Sequence, residues 1–335
     1  MKRPYLYPLV PLYAAAVALK NRAFNKKQPY RLQNSVVSIG SISAGGAGKT
    51  PLTIALANLL TSNGYKLTVL TRGYGRISRV EVEQVDPTGS ARRFGDEPLL
   101  LARQTAATVF VAANRALAGR LAEQNLPTPL VHLLDDGFQH RHLHRNLDIV
   151  LLTAEDIADT LLPAGNLREP HSALKRAQVI VVAKTSSAPT HPERSRTGLG
   201  SEMWVRSHIG NNPKIWHVTR TLTLDSIPQN PLVFSAIARP ENFLSMLAER
   251  FITPAAHINF PDHHAYLNSD IARLLRRAEA AQATSFLTTA KDFVKLTPAH
   301  LAQLQKIGPV QVAHLEVTFA DPAAVLADIK SAIAH

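Results

Sequence analysis

From residue 35 to about 184, short apolar runs alternate with stretches in which apolar residues recur at helical spacing. The runs at 35–39, 67–71, 108–112, 130–134, 148–152 and 178–183 are rich in Val, Ile and Leu and too short for helices, so they predict strands buried on both faces. Helical patterns fill several of the gaps, as at 51–61 and 115–124. Such alternation builds a parallel sheet covered by helices on both faces, with chemistry collected at the C-terminal ends of the strands.

Residues 185–211 then turn polar and rich in Ser, Pro, His and Gly, which predicts a long loop. After it, 214–225 reads as an extended connecting strand. A second alternation follows: strand 232–237, helix 240–251, strand 256–260, helix 268–282 and strand 285–289. Residues 310–319 are extended again and 322–334 form a closing helix. The expected fold class is therefore α/β, with a larger parallel-sheet domain and a second, smaller α/β domain.

The N-terminus stands apart. Residues 6–19 are almost wholly apolar, and Lys20, Arg22, Lys26, Lys27 and Arg31 follow. Pro8 and Pro11 break the run, which argues against a signal peptide. At 1.5 Å per residue the run reaches ~21 Å, short of a hydrocarbon core of ~30 Å. Two readings remain: an interfacial segment whose basic flank meets anionic lipid, or a helix packed on the protein's own core.

Composition changes the picture little. The 335 residues are 45% hydrophobic, enough for two packed domains. With no cysteine, disulfide frameworks and thiolate metal sites are excluded. A net charge of +12 biases the chain toward anionic partners. Aromatics make up 6% and none cluster in a basic run, so nucleic acid is not an expected partner. No obligate protein partner is evident either.

The strongest local signal is Gly45-Gly46-Ala47-Gly48-Lys49-Thr50, after a predicted strand and before a predicted helix. Glycines let backbone N–H groups crowd around phosphate oxygens at a helix N-terminus. Lysine reaches the β/γ-phosphates, and the Thr50 hydroxyl suits Mg²⁺. The ATP-binding stretch is therefore expected to run from Ser43 and Ala44 through Gly45, Gly46, Ala47, Gly48 and Lys49 to Thr50. Ser43 stands where the common P-loop has glycine, and Ala44 where the double-glycine variant has a lysine. The strand at 130–134 delivers Asp135 and Asp136 at its end, a Walker-B arrangement for a nucleotide-bound Mg²⁺. Which of the two ligates directly is left open. Ala183-Lys184-Thr185-Ser186 lacks the aspartate with which GTPases read guanine, so ATP is the expected nucleotide.

Further motifs narrow the class: SISAGGAGKTP at 41–51, RGYGR at 72–76, GDEP at 95–98, DDGFQH at 135–140, LPAGNLREP at 162–170, FPDHH at 260–264 and TTAKD at 288–292. In kind and order they resemble the tetraacyldisaccharide 4′-kinases, across nearly the whole chain. That resemblance implies transfer of phosphate from ATP, with Mg²⁺, to the 4′-hydroxyl of an anionic lipid, tetraacyldisaccharide 1-phosphate, forming lipid IVA. It implies a peripheral enzyme on the cytoplasmic face of the inner membrane. It also implies two domains joined by a two-stranded hinge, which divides the chain into a membrane-associating segment at 1–30, a P-loop kinase domain at 31–213, a hinge strand at 214–225, a smaller α/β domain at 226–309, and a returning strand and helix at 310–335. Carried over by motif, Asp96 is the catalytic aspartate, His263 its partner from the second domain, and Asp136 belongs to both the catalytic and the metal set. Arg72, Arg115, Gln139, His140, Arg168 and Glu169 fall on substrate or supporting positions.

Two positions depart from that pattern: Ser41 where the family has Asn, and Ala290 where it has Glu. The rival class is a membrane-associated ATPase switch, against which the FPDHH region and the absent second lysine both count. A basic membrane-binding scaffold is a third class, and intact Gly48-Lys49-Thr50 and Asp135-Asp136 count against it.

Overall fold

The computed structural model describes residues 3–184, 197–210 and 212–334. Twelve strands form one sheet: β1 (Ser35–Gly40), β2 (Leu67–Thr71), β3 (Val82–Gln84), β4 (Thr108–Ala112), β5 (Val131–Asp135), β6 (Leu147–Leu152), β7 (Val179–Lys184), β8 (Lys214–Leu224), β9 (Pro231–Ser235), β10 (Ala256–Asn259), β11 (Ser285–Thr289) and β12 (Val310–Phe319). Their order is β10-β9-β11-β12-β8-β7-β6-β1-β5-β2-β4-β3. Pairing is parallel except at the β3 edge and between β8 and β12, where Val218 faces Phe319 and Leu224 faces Ala313. This antiparallel pair joins the P-loop half (β1–β7) to the smaller half (β9–β11), so the sheet runs unbroken between them.

The predicted strands appear where their composition demands burial: every residue of β2, β5, β6 and β9 is buried. The helix Lys49–Ser62 turns Leu52, Leu56 and Leu60 onto the sheet at fourfold spacing. Each such side chain contributes roughly 1.5–3 kcal/mol when fully buried. Those leucines and Val37, Ile39, Val69 and Leu133 belong to one core on the P-loop side. A separate core around Phe234, Phe286 and Leu274 supports the smaller half.

One expectation is corrected. Within the stretch read as a long loop, Thr197–His208 is a helix whose Val205 is buried against Ile180 and Val182, the apolar positions having been masked by polar neighbours. Residues 185–196 and 211 of that stretch lie outside the described residues, as do Thr185 and Ser186 of the nucleotide-choice argument.

At the N-terminus, a 3₁₀ turn (Pro4–Leu9) leads into the helix Val10–Asn25, and neither holds a buried residue. One face is half-covered: the Tyr13 hydroxyl donates to the Arg168 carbonyl at 3.1 Å, and Asn21 donates to Glu169 at 3.3 Å. The other leaves Leu12 and Leu19 open, 70% and 64% exposed, which a core helix would not do. Among the described residues no helix is long and apolar enough to cross a membrane.

Candidate active site

A cleft of about 1490 Å³ opens between the two halves, bounded also by the N-terminal helix through Tyr13, Val17 and Lys20. Its floor is the loop after β1, where Gly45, Gly46 and Gly48 hold φ of 67°, 67° and 89°. Only glycine takes these left-handed values freely, and they turn the chain into the N-terminus of the helix Lys49–Ser62. Gly45, Gly46, Ala47, Gly48, Lys49 and Thr50 all line the cleft. Ser43 and Ala44 do not. Ser43 is buried, and the Ala44 amide donates to the Asn166 carbonyl at 2.8 Å, so the 162–170 loop braces the start of the P-loop.

β5 runs beside β1 and ends on the two aspartates. Asp135 accepts a 2.9 Å hydrogen bond from Thr53, one turn into the P-loop helix. Burial, with Glu97 and Asp136 nearby, pushes its carboxyl up to about 7. Asp136 follows in left-handed backbone, φ 49°, which aims it at Lys49 (3.5 Å) and Arg168 (2.9 Å). Burial opposes ionisation there, but Lys49 and Arg168 outweigh it and hold Asp136 below the usual carboxylate range. Asp136 Oδ1 has no hydrogen-bond partner despite that ion pair. Thr50, Asp135 and Asp136 present hard oxygens beside the phosphate loop, which suits a small divalent cation. No group of three or more His, Cys, Asp or Glu able to hold a metal occurs among the described residues.

The opposite wall carries His263, also left-handed at φ 61°. Its Nδ1 meets Asp96 Oδ1 and Oδ2 at 3.1 and 3.0 Å, joining the smaller half to the helix Asp96–Gln104. Asp96 lies just beneath the cleft wall, with Glu97 rather than Asp96 on the surface. Burial pushes Asp96 up, but the His263 hydrogen bond and the Lys291 charge outweigh it and hold the carboxyl low. For His263 burial pushes down, and the hydrogen bond to Asp96 raises it above its ordinary value.

The remaining predicted residues divide. Arg72, Gln139, Arg168 and Glu169 line the cleft. Gln139 donates to the Ser41 carbonyl (2.9 Å) and to Glu169 (3.0 Å), and Arg176 grips Glu169 through two nitrogens, so this set stiffens the P-loop from behind. Arg115 and His140 stay off the wall. Arg115 is buried, which lowers it to about 10, and it donates to the Ala113 carbonyl. Burial, then the charge of Arg115, pushes His140 down to about 3, so it stays neutral.

Sequence reasoning missed several cleft residues. Arg220 on β8 donates to the Ala47 carbonyl at 2.5 Å, and the Arg239 side chain lies along Gly46. The Tyr74 ring lies 4.8 Å from the His263 ring, tilted by 53° to it. Lys291 reaches Glu97, Asp262 and His263 together. For Tyr74, Glu97, Asp262 and Lys291 the available signal was membership in the RGYGR, GDEP, FPDHH and TTAKD motifs; Arg220 and Arg239 carried none.

Left-handed glycines on a helix N-terminus accommodate phosphate, and the carboxylates beside them, facing an Asp–His pair across a cleft, define the class as a P-loop kinase. A sequence model of the tetraacyldisaccharide-1-P 4′-kinase family matches residues 2–334. Proteins named tetraacyldisaccharide 4′-kinase from Koribacter versatilis (strain Ellin345) and Geobacter metallireducens are 39% and 34% identical, over 96% and 92% of this chain and 97% and 92% of their own lengths. The solved "apo" form of LpxK from Aquifex aeolicus, in complex with ATP, has a TM-score of 0.74 to this structure at 27% identity, covering 98% of this chain and 99% of that one. The chain belongs to the tetraacyldisaccharide 4′-kinase family.

Proposed function

We propose that this kinase moves the γ-phosphate of ATP onto the 4′-hydroxyl of tetraacyldisaccharide 1-phosphate, with the two halves of the chain closing on the reactants as hinged domains. The observation that carries the reading is the Asp96–His263 pair, built from both halves, with His263 on the wall of the cleft that Lys49 also lines. Lys49 and the loop amides hold the β- and γ-phosphates. The acceptor oxygen forms a bond to the γ-phosphorus as the β–γ bridging bond breaks, ADP leaves, and the hydroxyl proton passes to Asp96. Asp96 is held ionised, so it is ready to accept, and His263 orients it. Such general-base help is typically worth roughly 10²–10⁴-fold.

Thr50, Asp135 and Asp136 would hold Mg²⁺, which when bound supplies neutralising charge to the phosphates. Asp136 Oδ1, which has no hydrogen-bond partner, and the raised Asp135 support that assignment, since both carboxylates gain from a cation. Arg72 and Arg168, on the wall, suit the anionic acceptor.

The N-terminal helix would seat the enzyme peripherally on the inner membrane's cytoplasmic face. Tyr5, Leu12 and Leu19 are exposed beside Lys20, Arg22, Lys26 and Lys27, the pairing of apolar and basic groups that binds anionic lipid surfaces. Its inner face lines the same cleft, so an acceptor whose acyl chains stay in lipid can present its sugar to the site. A phosphate-transfer assay with ATP, Mg²⁺ and the tetraacylated disaccharide in detergent tests the reading. ATP turnover independent of the acceptor contradicts it and favours the ATPase switch.

A further inference from the structure

Lys291 occupies a position that neither the P-loop nor the Asp96–His263 pair explains. It is the second residue of the short helix Ala290–Phe293 after β11, and Asp292 in that helix is fully buried. The Asp292 carboxylate accepts from the Ala236 amide, the Thr289 hydroxyl and the Tyr266 hydroxyl at 3.1, 2.7 and 3.1 Å, and pairs with Lys295. The turn carrying Lys291 is thus locked to the end of β9 and to Tyr266, two residues beyond His264. From this base the Lys291 ammonium reaches Glu97 Oε1 at 3.1 Å, Asp262 Oδ1 at 3.4 Å and His263 Nε2 at 3.3 Å, with Asp96 Oδ2 at 3.9 Å. Glu97 follows Asp96 in sequence and Asp262 precedes His263, so this bridge runs beside the Asp96–His263 bond, one residue over on each side.

An ammonium group has three N–H donors and no acceptor. At 3.3 Å from Lys291, His263 Nε2 can bond to it only as an acceptor, which assigns it as the unprotonated nitrogen. The ring proton then sits on Nδ1, where it donates to Asp96. That division matters, because the Lys291 charge beside Nε2 opposes a second proton on a ring that the surrounding carboxylates would otherwise hold protonated to still higher pH. We infer that Lys291 is a positioning residue for the phosphoryl transfer: by capping His263 Nε2 while bridging Glu97 and Asp262, it fixes the imidazole as the donor and leaves Asp96 as the proton acceptor. The inference rests on the reading that Asp96 takes the hydroxyl proton.

The groups facing His263 give the sign of its response. Asp96 raises it through the hydrogen bond, Asp262 at 3.8 Å raises it further, and Glu97 lies at 4.0 Å on the same side. Lys291 lowers it, and Tyr74 lies against the ring, tilted and uncharged. Removing Lys291 leaves three carboxylates around the imidazole without the ammonium that bridges them. The imidazolium form then persists to higher pH, and an Asp96 paired to a full cation is a weaker base.

The test is ¹⁵N NMR of histidine-labelled, ligand-free enzyme, His263 being assigned from its His263→Gln variant, together with the pH profile of kcat. In the wild type His263 should titrate to the Nδ1–H tautomer. Lys291→Met should move its midpoint upward and carry the acid limb of kcat in the same direction, with the ATP Kd unchanged. Lys291→Arg, which keeps a cation and donors there, should restore both. An Nε2–H tautomer in the wild type, or a midpoint that Lys291→Met leaves in place, overturns the inference. A raised ATP Kd with an unmoved midpoint overturns it as well, since Lys291 would then be a phosphate ligand. Misfolding of the Met variant leaves the wild-type tautomer and the Arg variant to decide. Failure of the Asp96 reading is seen separately, as an Asp96→Asn enzyme that keeps its kcat.

Discussion

Arg239, from the smaller half, lies so close along Gly46 of the P-loop that a β-carbon on the glycine would stand 2.8 Å from Arg239 Cγ and 2.9 Å from Cδ. Gly46 is therefore demanded twice, once by its φ of 67° and once by the side chain crossing it. The guanidinium points on toward Glu155 and Asp156 at 3.8 and 3.7 Å, which holds a cation at the edge of the phosphate loop.

Gly46→Ala should raise the ATP Kd at least tenfold, because both the loop conformation and the Arg239 contact must give way. Arg239→Ala keeps the loop but removes the cation, and should weaken ATP binding by a smaller factor. Isothermal titration with ATP measures both. Equal and negligible effects would show that the contact is incidental.

Asp136→Asn should cut turnover severely, since the carboxylate faces Lys49 and Arg168 at the phosphate site, and a metal it shares with the nucleotide loses a ligand. Asp135→Asn should also lower turnover and raise the Mg²⁺ concentration needed for half-maximal rate. It should cost little stability, because a carboxyl pushed up to about 7 is a poorly stabilised anion in the free enzyme. Mg²⁺ titrations of kcat and thermal melts decide this; unchanged metal dependence in both variants contradicts the assignment.

Deleting residues 1–24 should weaken binding to anionic vesicles, and the full chain's binding should fall with added salt as Lys20, Arg22, Lys26 and Lys27 are screened. Each cation near such a surface is worth about 1 kcal/mol. The deletion also removes the Tyr13 and Asn21 bonds to Arg168 and Glu169, so acceptor KM should rise too. Vesicle sedimentation in which the truncated protein pellets as fully as the whole chain would refute the anchor.

Asp292→Ala should destabilise the protein by about 3–5 kcal/mol, since it strands the buried Lys295 ammonium and three further donors. Chemical denaturation measures it. A loss no larger than that of a surface substitution would mean that the three loops around it are held by other contacts.

What the sequence made legible was what it encodes locally. Strands such as β5 and β6 are continuous apolar runs, and the P-loop and Asp135-Asp136 lie at fixed offsets from them. β3 escaped because three residues paired at an antiparallel edge carry too short a pattern. The helix Thr197–His208 escaped because Ser, Gly and Arg dilute its apolar face. The contacts across the cleft were the least legible: Arg220 sits in an ordinary alternating strand and Arg239 merely precedes Pro240, and nothing near either residue records that the other half of the chain will bring them to the P-loop. Asp96 and His263 were singled out through their motifs, yet that Asp96 lies beneath the wall and that Lys291 stands 3.3 Å from His263 are facts of packing alone.

The central claim is that Asp96 accepts the acceptor's proton in a site that closure completes, and kcat with ATP Kd for Asp96→Asn tests it most directly. Asn preserves the size of Asp96 and can still accept from the Glu97 amide, so the fold and the P-loop should stand. If Asp96 is the proton acceptor, kcat falls roughly 10²–10⁴-fold with the ATP Kd essentially unchanged. A variant that turns over within a few-fold of the wild type, or one that loses ATP binding along with activity, would contradict it.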